Sequence, residues 1–360
     1  MLFEFSVFWF ICFLKKDSKV KTTKYNSENT SNPIFYVQNK FYSMRIGIDI
    51  MGGDFAPDAV VKGAILAQKE LAADEKLILI GDSKRAKEII TAENANINDF
   101  EFVHTEEVIG MDEHPAKAFQ KKQNSSIAVG FYLLSQGKID SFASAGSTGA
   151  MLVGAMFTVK SIPGIIRPAI SALVPRPGLN HGVMLDVGLN PDAKPEVLYQ
   201  YGVLGSVFAQ NILGIENPRV ALMNLGSEPE KGTPLTKATY DLMKDSKDFN
   251  FIGNIEGFDM YTDKYDVMVC DGFVGNVLLK SAEGFYHSLI KERGITDAFF
   301  EEFNHENQGG TPVLGINKPV LIGHGMANEV AIRTMLLDSR KVINAKLEEK
   351  FKEIFENDKN

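Results

Sequence analysis

From residue 44 onward the chain alternates short apolar runs with helix-length periodic segments, and no other feature limits its fold as much. "RIGIDIM", "KLILIGD", "FEFVHT" and "SFASA" read as strands by their length, their β-branched or aromatic content and their Gly or Asp ends. Between them "PDAVVKGAILAQKEL", "SKRAKEIITA" and "NSSIAVGFYLLSQG" carry helical spacing, with Pro57 near the start of the first, where a missing N–H costs nothing. "RVALMNLG", "FNFIGNI" and "YDVMVCDG" continue the pattern, each followed by a turn or helix. Such alternation predicts an α/β protein: a mostly parallel sheet covered by helices on both faces. Ligands of such a sheet belong outside the carboxyl ends of its strands.

One segment departs from the rule. "AISALVPRPGLNHGVMLDVG" holds two strand runs around a turn-rich centre, which predicts an antiparallel excursion near residues 169 to 188. After it, "KPEVLYQYGVLGSVFAQNIL" reads as a helix apolar on most faces, buried in the core or against a second subunit. "NEVAIRTMLLDSRKVINAKLEEKFKEIFEN" reads as one long amphipathic helix. No linker or internal repeat divides residues 44 to 360, which we take as a single domain.

Residues 1–43 differ. "MLFEFSVFWFICFL" is an apolar run of 14 residues, short of the ~20 that a spanning helix needs. Lys15 and Lys16 follow it instead of preceding it, and no small-residue cleavage site appears, so it is not a secretory signal. The polar stretch after it has too little apolar surface to offset the entropy of ordering. An upstream start codon or dispensable leader ahead of a functional start at Met44 is the plain reading; a membrane-tethering leader is the alternative. The leader carries 6 basic and 3 acidic side chains, so residues 44 to 360 hold 32 against 43, a net charge of −11. No basic stripe is present to neutralise a row of phosphates, which excludes a general nucleic-acid binder. Two cysteines, Cys12 and Cys270, suggest neither a disulfide framework nor a zinc site, and a reducing cytoplasm fits.

The chemistry lies in the loops at strand ends. In "DIMGGDFAPD", Gly52 and Gly53 let the backbone turn tightly and approach a ligand, and Asp54 is placed to cap the next helix. In "SAGSTGA", Gly146, Ser147, Thr148 and Gly149 open a helix, where free N–H groups and two hydroxyls suit an anion. A plain N-capped helix explains that motif as well as an anion site does. It is neither a P-loop nor a nucleophile elbow. "MLDVGLNPDAKPE" gathers Asp186, Asn190, Asp192 and Lys194, although Asp192 and Lys194 could simply pair on the surface. "NLGSEPEKGTPLTK" brings Asn224, Glu228, Lys231 and Gly232 to another strand end, and "VCDGFVGNVLLK" brings Asp271, Gly272, Gly275 and Asn276 to a third. Cys270 reads as a buried small hydrophobe. In "GHGMANEV", His324 is as readily structural as ligand-contacting.

Taken in order and at these separations, "MRIGIDIMGGDFAP", "SAGSTGA", "MLDVGLNPDAKPE", "NLGSEPEKGTPLTK", "VCDGFVGNVLLK" and "PVLGINKPVLIGHG" resemble the PlsX family, the phosphate acyltransferases of bacterial phospholipid synthesis. The likeness runs from Met44 to about residue 345. It implies a three-layer α/β/α sandwich related to the isocitrate and isopropylmalate dehydrogenases and the phosphotransacetylases, usually a homodimer. It implies transfer of a fatty acyl group from acyl-[acyl-carrier-protein] to inorganic phosphate, with no cofactor, no metal and no covalent acyl-enzyme. The acyl phosphate would pass to a membrane glycerol-3-phosphate acyltransferase, which places the protein in the cytoplasm, at most peripheral to the inner membrane face.

The residues tolerate that chemistry. Phosphate is already ionised near neutral pH, so it needs no strong base to attack a thioester, and a thiolate with a conjugate-acid pKa near ~8.5 leaves readily. The expected roles are these: Ser147, Thr148 and Gly149 cradle phosphate, Lys194 offsets charge with help from Asn190, and Asp186 orients that loop. Asn276 and Gly272 close the other side of the cleft, with Asp271, Lys231, Gly52, Gly53, Asp54, Gly146 and His324 lining it.

Two positions depart from the family pattern. Ser147 stands where the family commonly has Asn, and Thr233 follows Gly232 where it often has Asn. The region "HSLIKERGITDAFFEEFNHENQGG" is short and sets Asp297, Glu301 and Glu302 beside Phe299, Phe300 and Phe303, which opposes binding to anionic lipid. Carrier protein is acidic, so a local basic patch is expected to dock it: Lys117, Lys121 and Lys122, or Arg167 and Arg176. An oxidoreductase of the related dehydrogenase fold is disfavoured, since no G-x-G-x-x-G follows a strand. A non-catalytic carrier-protein-binding or membrane-regulatory module is the remaining alternative.

Overall fold

The computed structural model describes residues 43–178, 181–304 and 309–357, so the expected leader lies outside the described residues except for Ser43. In chain order the strands are β1 (Met44–Asp49), β2 (Glu75–Gly81), β3 (Phe100–His104), β4 (Ser141–Ser144), β5 (Ala169–Val174) and β6 (Gly182–Leu185). They continue with β7 (Arg219–Met223), β8 (Asn250–Ile255), β9 (Val267–Val269), β10 (Thr311–Leu314) and β11 (Val320–Ile322). They form one sheet in the order β3-β2-β1-β4-β11-β10-β5-β6-β9-β7-β8. β3, β2, β1, β4 and β11 are mutually parallel, and so are β6, β9, β7 and β8. The three central pairings, β11/β10, β10/β5 and β5/β6, are antiparallel. The two parallel halves therefore run in opposite directions. The expected antiparallel excursion is the β5–β6 pair, in register from Ser171 opposite Leu185 to Val174 opposite Gly182.

The helices are α1 (Asp58–Gln68), α2 (Ser83–Ala92), α3 (Pro115–Lys121), α4 (Ser126–Ser135), α5 (Thr148–Gly154) and α6 (Pro195–Ile212). After them come α7 (Pro234–Met243), α8 (Gly272–Tyr286), α9 (Ala298–Glu301), α10 (Glu329–Ala345) and α11 (Leu347–Asn357). Side-chain alternation along the strands separates the layers. On β2, Leu77 and Leu79 pack with α1, α2 and α10, while Ile78 and Ile80 face the other way, into the core of α3, α4 and α5. On β6, Val183 and Leu185 pack with α6 and α11, and Met184 joins the core that includes Val274 and Leu278 of α8. The result is the three-layer arrangement.

The buried helix predicted after the excursion is α6, and it is buried within the chain's own core: Val197, Leu198, Tyr201, Leu204 and Phe208 are at most 3% exposed. Gly205 permits its approach to the sheet, since a Cβ there would lie 2.4 Å from Val267 Cγ1. The predicted single C-terminal helix is instead two. Lys346 adopts a left-handed conformation (φ 49°), and the turn lets Leu347, Phe351 and Phe355 enter the core beside α6. Burial of that apolar triad outweighs helical continuity. Phe299 and Phe303 of the acidic segment stack edge-on against Tyr261, with centroids 6.3 and 5.5 Å away, so these rings are turned onto the protein.

Candidate active site

Chain order reverses beside β1: β2 and β3 lie on one side, β4 on the other. That switch point opens the crevice where open α/β sheets take ligands. Asp49 ends β1 and is 1% exposed. Its carboxylate accepts the Met51 N–H (2.9 Å) and the Ser144 hydroxyl (2.7 Å), and that hydroxyl accepts the Gly146 N–H (2.9 Å). One buried acid thereby ties the two glycine loops together, and burial raises its pKa against those hydrogen bonds. The loops touch so closely that a Cβ at Gly52 would lie 2.6 Å from Gly146 N. Asp54 is exposed and caps no helix: α1 begins at Asp58, and the Asp54 N–H donates to Gly325 O (2.8 Å). Asp54 therefore joins the β1 loop to the β11 loop.

Ser147 is the N-cap of α5, its hydroxyl accepting the Ala150 N–H at 3.4 Å, and it is 5% exposed. Thr148 is exposed at the first helical position, and Pro115 packs over Gly149. His324 uses Nδ1 to accept the Met326 N–H (3.2 Å), a turn-forming contact. Gly52, Gly53, Asp54, Gly146, Ser147, Thr148, Gly149 and His324 thus form one group, rich in donors from the backbone.

The second group lies at the ends of β6, β9 and β7. Asp186 is fully buried and accepts N–H groups from Ile170 (3.0 Å), Leu189 (3.4 Å) and Asn190 (2.6 Å). Desolvation pushes its pKa up to about 6, against those hydrogen bonds. Asn190 is 6% exposed, and its side-chain amide donates to Pro168 O (2.7 Å) and Asp186 (3.3 Å), while its backbone carbonyl accepts the Gly272 N–H (2.9 Å). Asp186 and Asn190 are therefore a scaffold that fixes the start of α8. Asp271 caps that helix by accepting the Val274 N–H (2.9 Å). Asn276 sits one turn in, close to Gly188, where a Cβ would lie 3.6 Å from its Oδ1.

Lys194 precedes α6 and is exposed, with no ion pair among the described residues; Asp192 does not pair with it and instead offers its carbonyl to Arg167 (2.8 Å). Lys231 is likewise exposed beyond β7, in a loop held by Asn224, whose amide donates to Lys231 O (3.2 Å). Thr233 caps α7 by accepting the Thr236 N–H (3.2 Å). Cys270 is 3% exposed, its thiol reaching Asp186 O at 3.6 Å, and burial drives its pKa well up.

The convergence expected on one sheet edge is thus resolved into two groups. No hydrogen bond or ion pair joins them among the described residues; β4 and β6 are four strand spacings apart, ~19 Å at ~4.8 Å each, and antiparallel, so their carboxyl ends lie on opposite edges of the sheet. Asp49 and Ser144 were not among the expected residues. Their signal was a lone Asp closing an apolar strand and a Ser preceding the glycine loop. Of the expected docking cations, Arg176 is excluded: it is 2% exposed, donates to Tyr265 O and pairs with Asp266 at 3.7 Å. Lys122 pairs with Glu113, whereas Lys117 and Lys121 are exposed on α3.

Comparison with known proteins adds an independent finding. The model of the family described as "Fatty acid synthesis protein" matches residues 44–350. A phosphate acyltransferase of Dictyoglomus turgidum is 38% identical over 328 residues, covering 86% of this chain and 97% of that protein. One from Desulfitobacterium hafniense is 40% identical over 330 residues, with coverages of 86% and 97%. Among solved structures, a phosphotransacetylase from Streptococcus pyogenes aligns with a TM-score of 0.57 at 18% identity, covering 85% of this chain and 95% of that one. A branched-chain phosphotransacylase from Enterococcus faecalis aligns at 0.56 and 16% identity, covering 83% and 99%. At these identities the structural likeness shows the fold alone.

Proposed function

The chain belongs to the phosphate acyltransferase family of fatty acid and phospholipid synthesis, and from that premise we propose that it transfers a fatty acyl group from acyl-carrier protein to inorganic phosphate. A phosphate oxygen forms the new bond to the acyl carbon, the carbon–sulfur bond breaks, and the departing thiolate takes up the proton that phosphate gives up. The observation that carries the assignment of the chemistry is the group at the ends of β6, β9 and β7. Lys194 and Lys231, neither with an acidic partner among the described residues, stand there with the Asn276 amide and the start of α8. β6 and β7 are two strand spacings apart, ~10 Å, a gap suited to a phosphate and a thioester carbonyl side by side.

Cations and an amide donor are what the transition state requires, since charge builds on the carbonyl oxygen while a dianion approaches. Positioning supplies up to ~7 to 11 kcal/mol of the barrier reduction, and one oxyanion donor ~3 to 4. The deeply buried thiol of Cys270 suits direct attack by phosphate in place of an acyl-enzyme. The group around β1 and β4 brings N–H donors and the Thr148 hydroxyl but also Asp49 and Asp54, so we assign it to substrate binding. Thr148→Ala is then expected to raise KM more than it lowers kcat.

Around this core reaction the reading extends to partners. Lys117 and Lys121, i and i+4 on α3 beside the Gly149 loop, offer the acidic carrier protein a cationic face. The acyl phosphate is passed to a membrane glycerol-3-phosphate acyltransferase, and the working form is a cytoplasmic homodimer. No helix among the described residues is long and apolar enough to cross a membrane.

The test follows free thiol released from a long-chain acyl-carrier protein with and without phosphate, trapping acyl phosphate with hydroxylamine. Phosphate-dependent release with a trappable product is expected, and Lys194→Ala and Lys231→Ala should each lower kcat at least tenfold. A variant that stays within threefold of the parent removes its lysine from the assignment.

A further inference from the structure

Residues 164–170 lead into β5 and are fastened one after another to the structure around Lys194. Gln200 of α6 holds the start with both ends of its amide, donating to Gly164 O (2.9 Å) and accepting the Ile166 N–H (2.8 Å). The Pro168 carbonyl accepts the Asn190 amide (2.7 Å) and the Tyr201 hydroxyl (3.4 Å). The Ile170 N–H donates to Asp186 (3.0 Å), and Ile170 O accepts the Val187 N–H (3.2 Å). Arg167 stands in the middle of this series, partly exposed, and its guanidinium Nη1 donates to Asp192 O (2.8 Å). The backbone is therefore fixed where the arginine leaves it, and the side chain ties it to the loop that carries Lys194.

Asp192 is two residues before Lys194, at most ~7 Å along the chain. On its far side Lys194 is held by α6, where it is the N-cap and its carbonyl accepts the Val197 N–H (3.0 Å) and the Leu198 N–H (3.2 Å). On its near side Pro191 and Asp192 are exposed and only Ala193 is buried. The Arg167 bond thus pins the approach to the lysine, as α6 pins its exit. The guanidinium also acts inward: burial and the Asp186 charge raise the pKa of the fully buried Tyr201 hydroxyl, and the Arg167 charge opposes that rise. A cation engaged with the interior in this way is suited to holding a loop rather than to meeting a partner protein.

We propose that Arg167 is a positioning residue of the acyl-transfer step: by pinning Asp192 O it sets where Lys194 meets the reacting phosphate, and it is no part of the carrier-protein docking surface. The proposal rests on the acyl-transfer reading above and on the place that reading gives Lys194.

A double-mutant cycle separates this role from the others. Arg167→Met keeps the aliphatic stem and removes the donors, whereas Arg167→Lys keeps a cationic donor. Each is made in the full chain, alone and together with Lys194→Ala. Phosphate-dependent thiol release gives kcat and the KM for a long-chain acyl-carrier protein, and urea melts confirm folding. Arg167→Met should lower kcat at least tenfold, in line with the cost of a small misplacement, and leave the KM for carrier protein within twofold. Arg167→Lys should recover most of that loss. In the Lys194→Ala background Arg167→Met should change kcat less than twofold, because the group it positions is gone. An equal loss in both backgrounds is what a general weakening of the fold gives, and it overturns the proposal. So does a kcat for Arg167→Met within threefold of the parent, or no recovery in Arg167→Lys. A KM for carrier protein raised more than twofold also overturns it and returns Arg167 to the docking surface. Should Arg167→Met not fold, Arg167→Gln carries the same cycle under the same criteria. A parent without phosphate-dependent release defeats the acyl-transfer reading itself; a parent that turns over while Lys194→Ala stays within threefold of it defeats this proposal and leaves the reaction standing.

Discussion

Gly275 is the tightest point between α8 and the scaffold beneath it. A Cβ there would lie 2.0 Å from Asp186 O, 3.0 Å from Asp186 C and 3.0 Å from Cys270 Sγ. The nearest of these is backbone at the end of a central strand, so a side-chain rotation cannot relieve it. In Gly275→Ala the helix must withdraw by about 1 Å to reach the shortest tolerable contact. Overpacking of that kind costs ~1 to 3 kcal/mol, offset in part by the gain of ~1 kcal/mol from replacing a helical glycine with alanine. The stability loss should therefore be small, about 0 to 2 kcal/mol by urea unfolding. The rate loss should be larger, because Asn276 and the first turn of α8 move with the helix: a misplacement of ~1 Å costs roughly 100-fold, or ~2.7 kcal/mol of barrier. Gly284→Ala, on the same helix but in open space, is the control and should match the parent in phosphate-dependent thiol release. If Gly275→Ala folds and stays within threefold of the parent, the start of α8 does not hold reacting atoms.

Asp186 makes a pH prediction. Its folded pKa of about 6 lies above the ordinary aspartate value of 3.8, so the folded state binds the proton more tightly. That contribution is fully present below pH ~3.8 and is lost as pH rises through about 6, amounting to up to ~3 kcal/mol. Relative to Asp186→Asn, which lacks the titration, the parent should lose stability between pH 4 and 7 in urea melts; parallel stability curves for the two proteins would contradict this. Cys270→Ala should retain turnover within threefold, and Cys270 in the folded protein should resist alkylation as judged by peptide mapping; rapid labelling would show that the thiol is reachable. Arg176→Ala should destabilise by ~1 to 3 kcal/mol, since it removes the buried donor to Tyr265 O while Asp266 keeps its hydrogen bonds from Arg219. Its affinity for carrier protein at a temperature where it is folded should be unchanged, and a selective loss of affinity would return Arg176 to the docking surface.

Much of the molecule was legible in one dimension because the signals are local. Strand and helix periods, the β5–β6 excursion and the capped helix start at Ser147 are all written within a few residues of where they act. Two local readings met a stronger tertiary term. The C-terminal helix breaks at Lys346 because Leu347, Phe351 and Phe355 gain burial by turning inward, and Asp54 binds the β11 loop instead of capping α1. Asn190 is expected to help Lys194 offset charge, yet its amide donates to Pro168 O and Asp186. Hydrogen-bond satisfaction of a buried group depends on partners far away in sequence.

By itself the sequence determined the fold class, the order of the elements, the glycine loops at the strand ends and a resemblance to the acyltransferase family. It did not determine which loops share a site. Lys194, Lys231 and Asn276 are neighbours by strand order only because β9 enters between β6 and β7, and the glycine loop at Gly146 is set apart because β11, β10 and β5 lie between. Strand order is decided by long-range pairing, in which every strand satisfies its backbone groups against a partner that its own residues do not specify. Local periodicity gives each strand its faces; only the assembled sheet gives it neighbours.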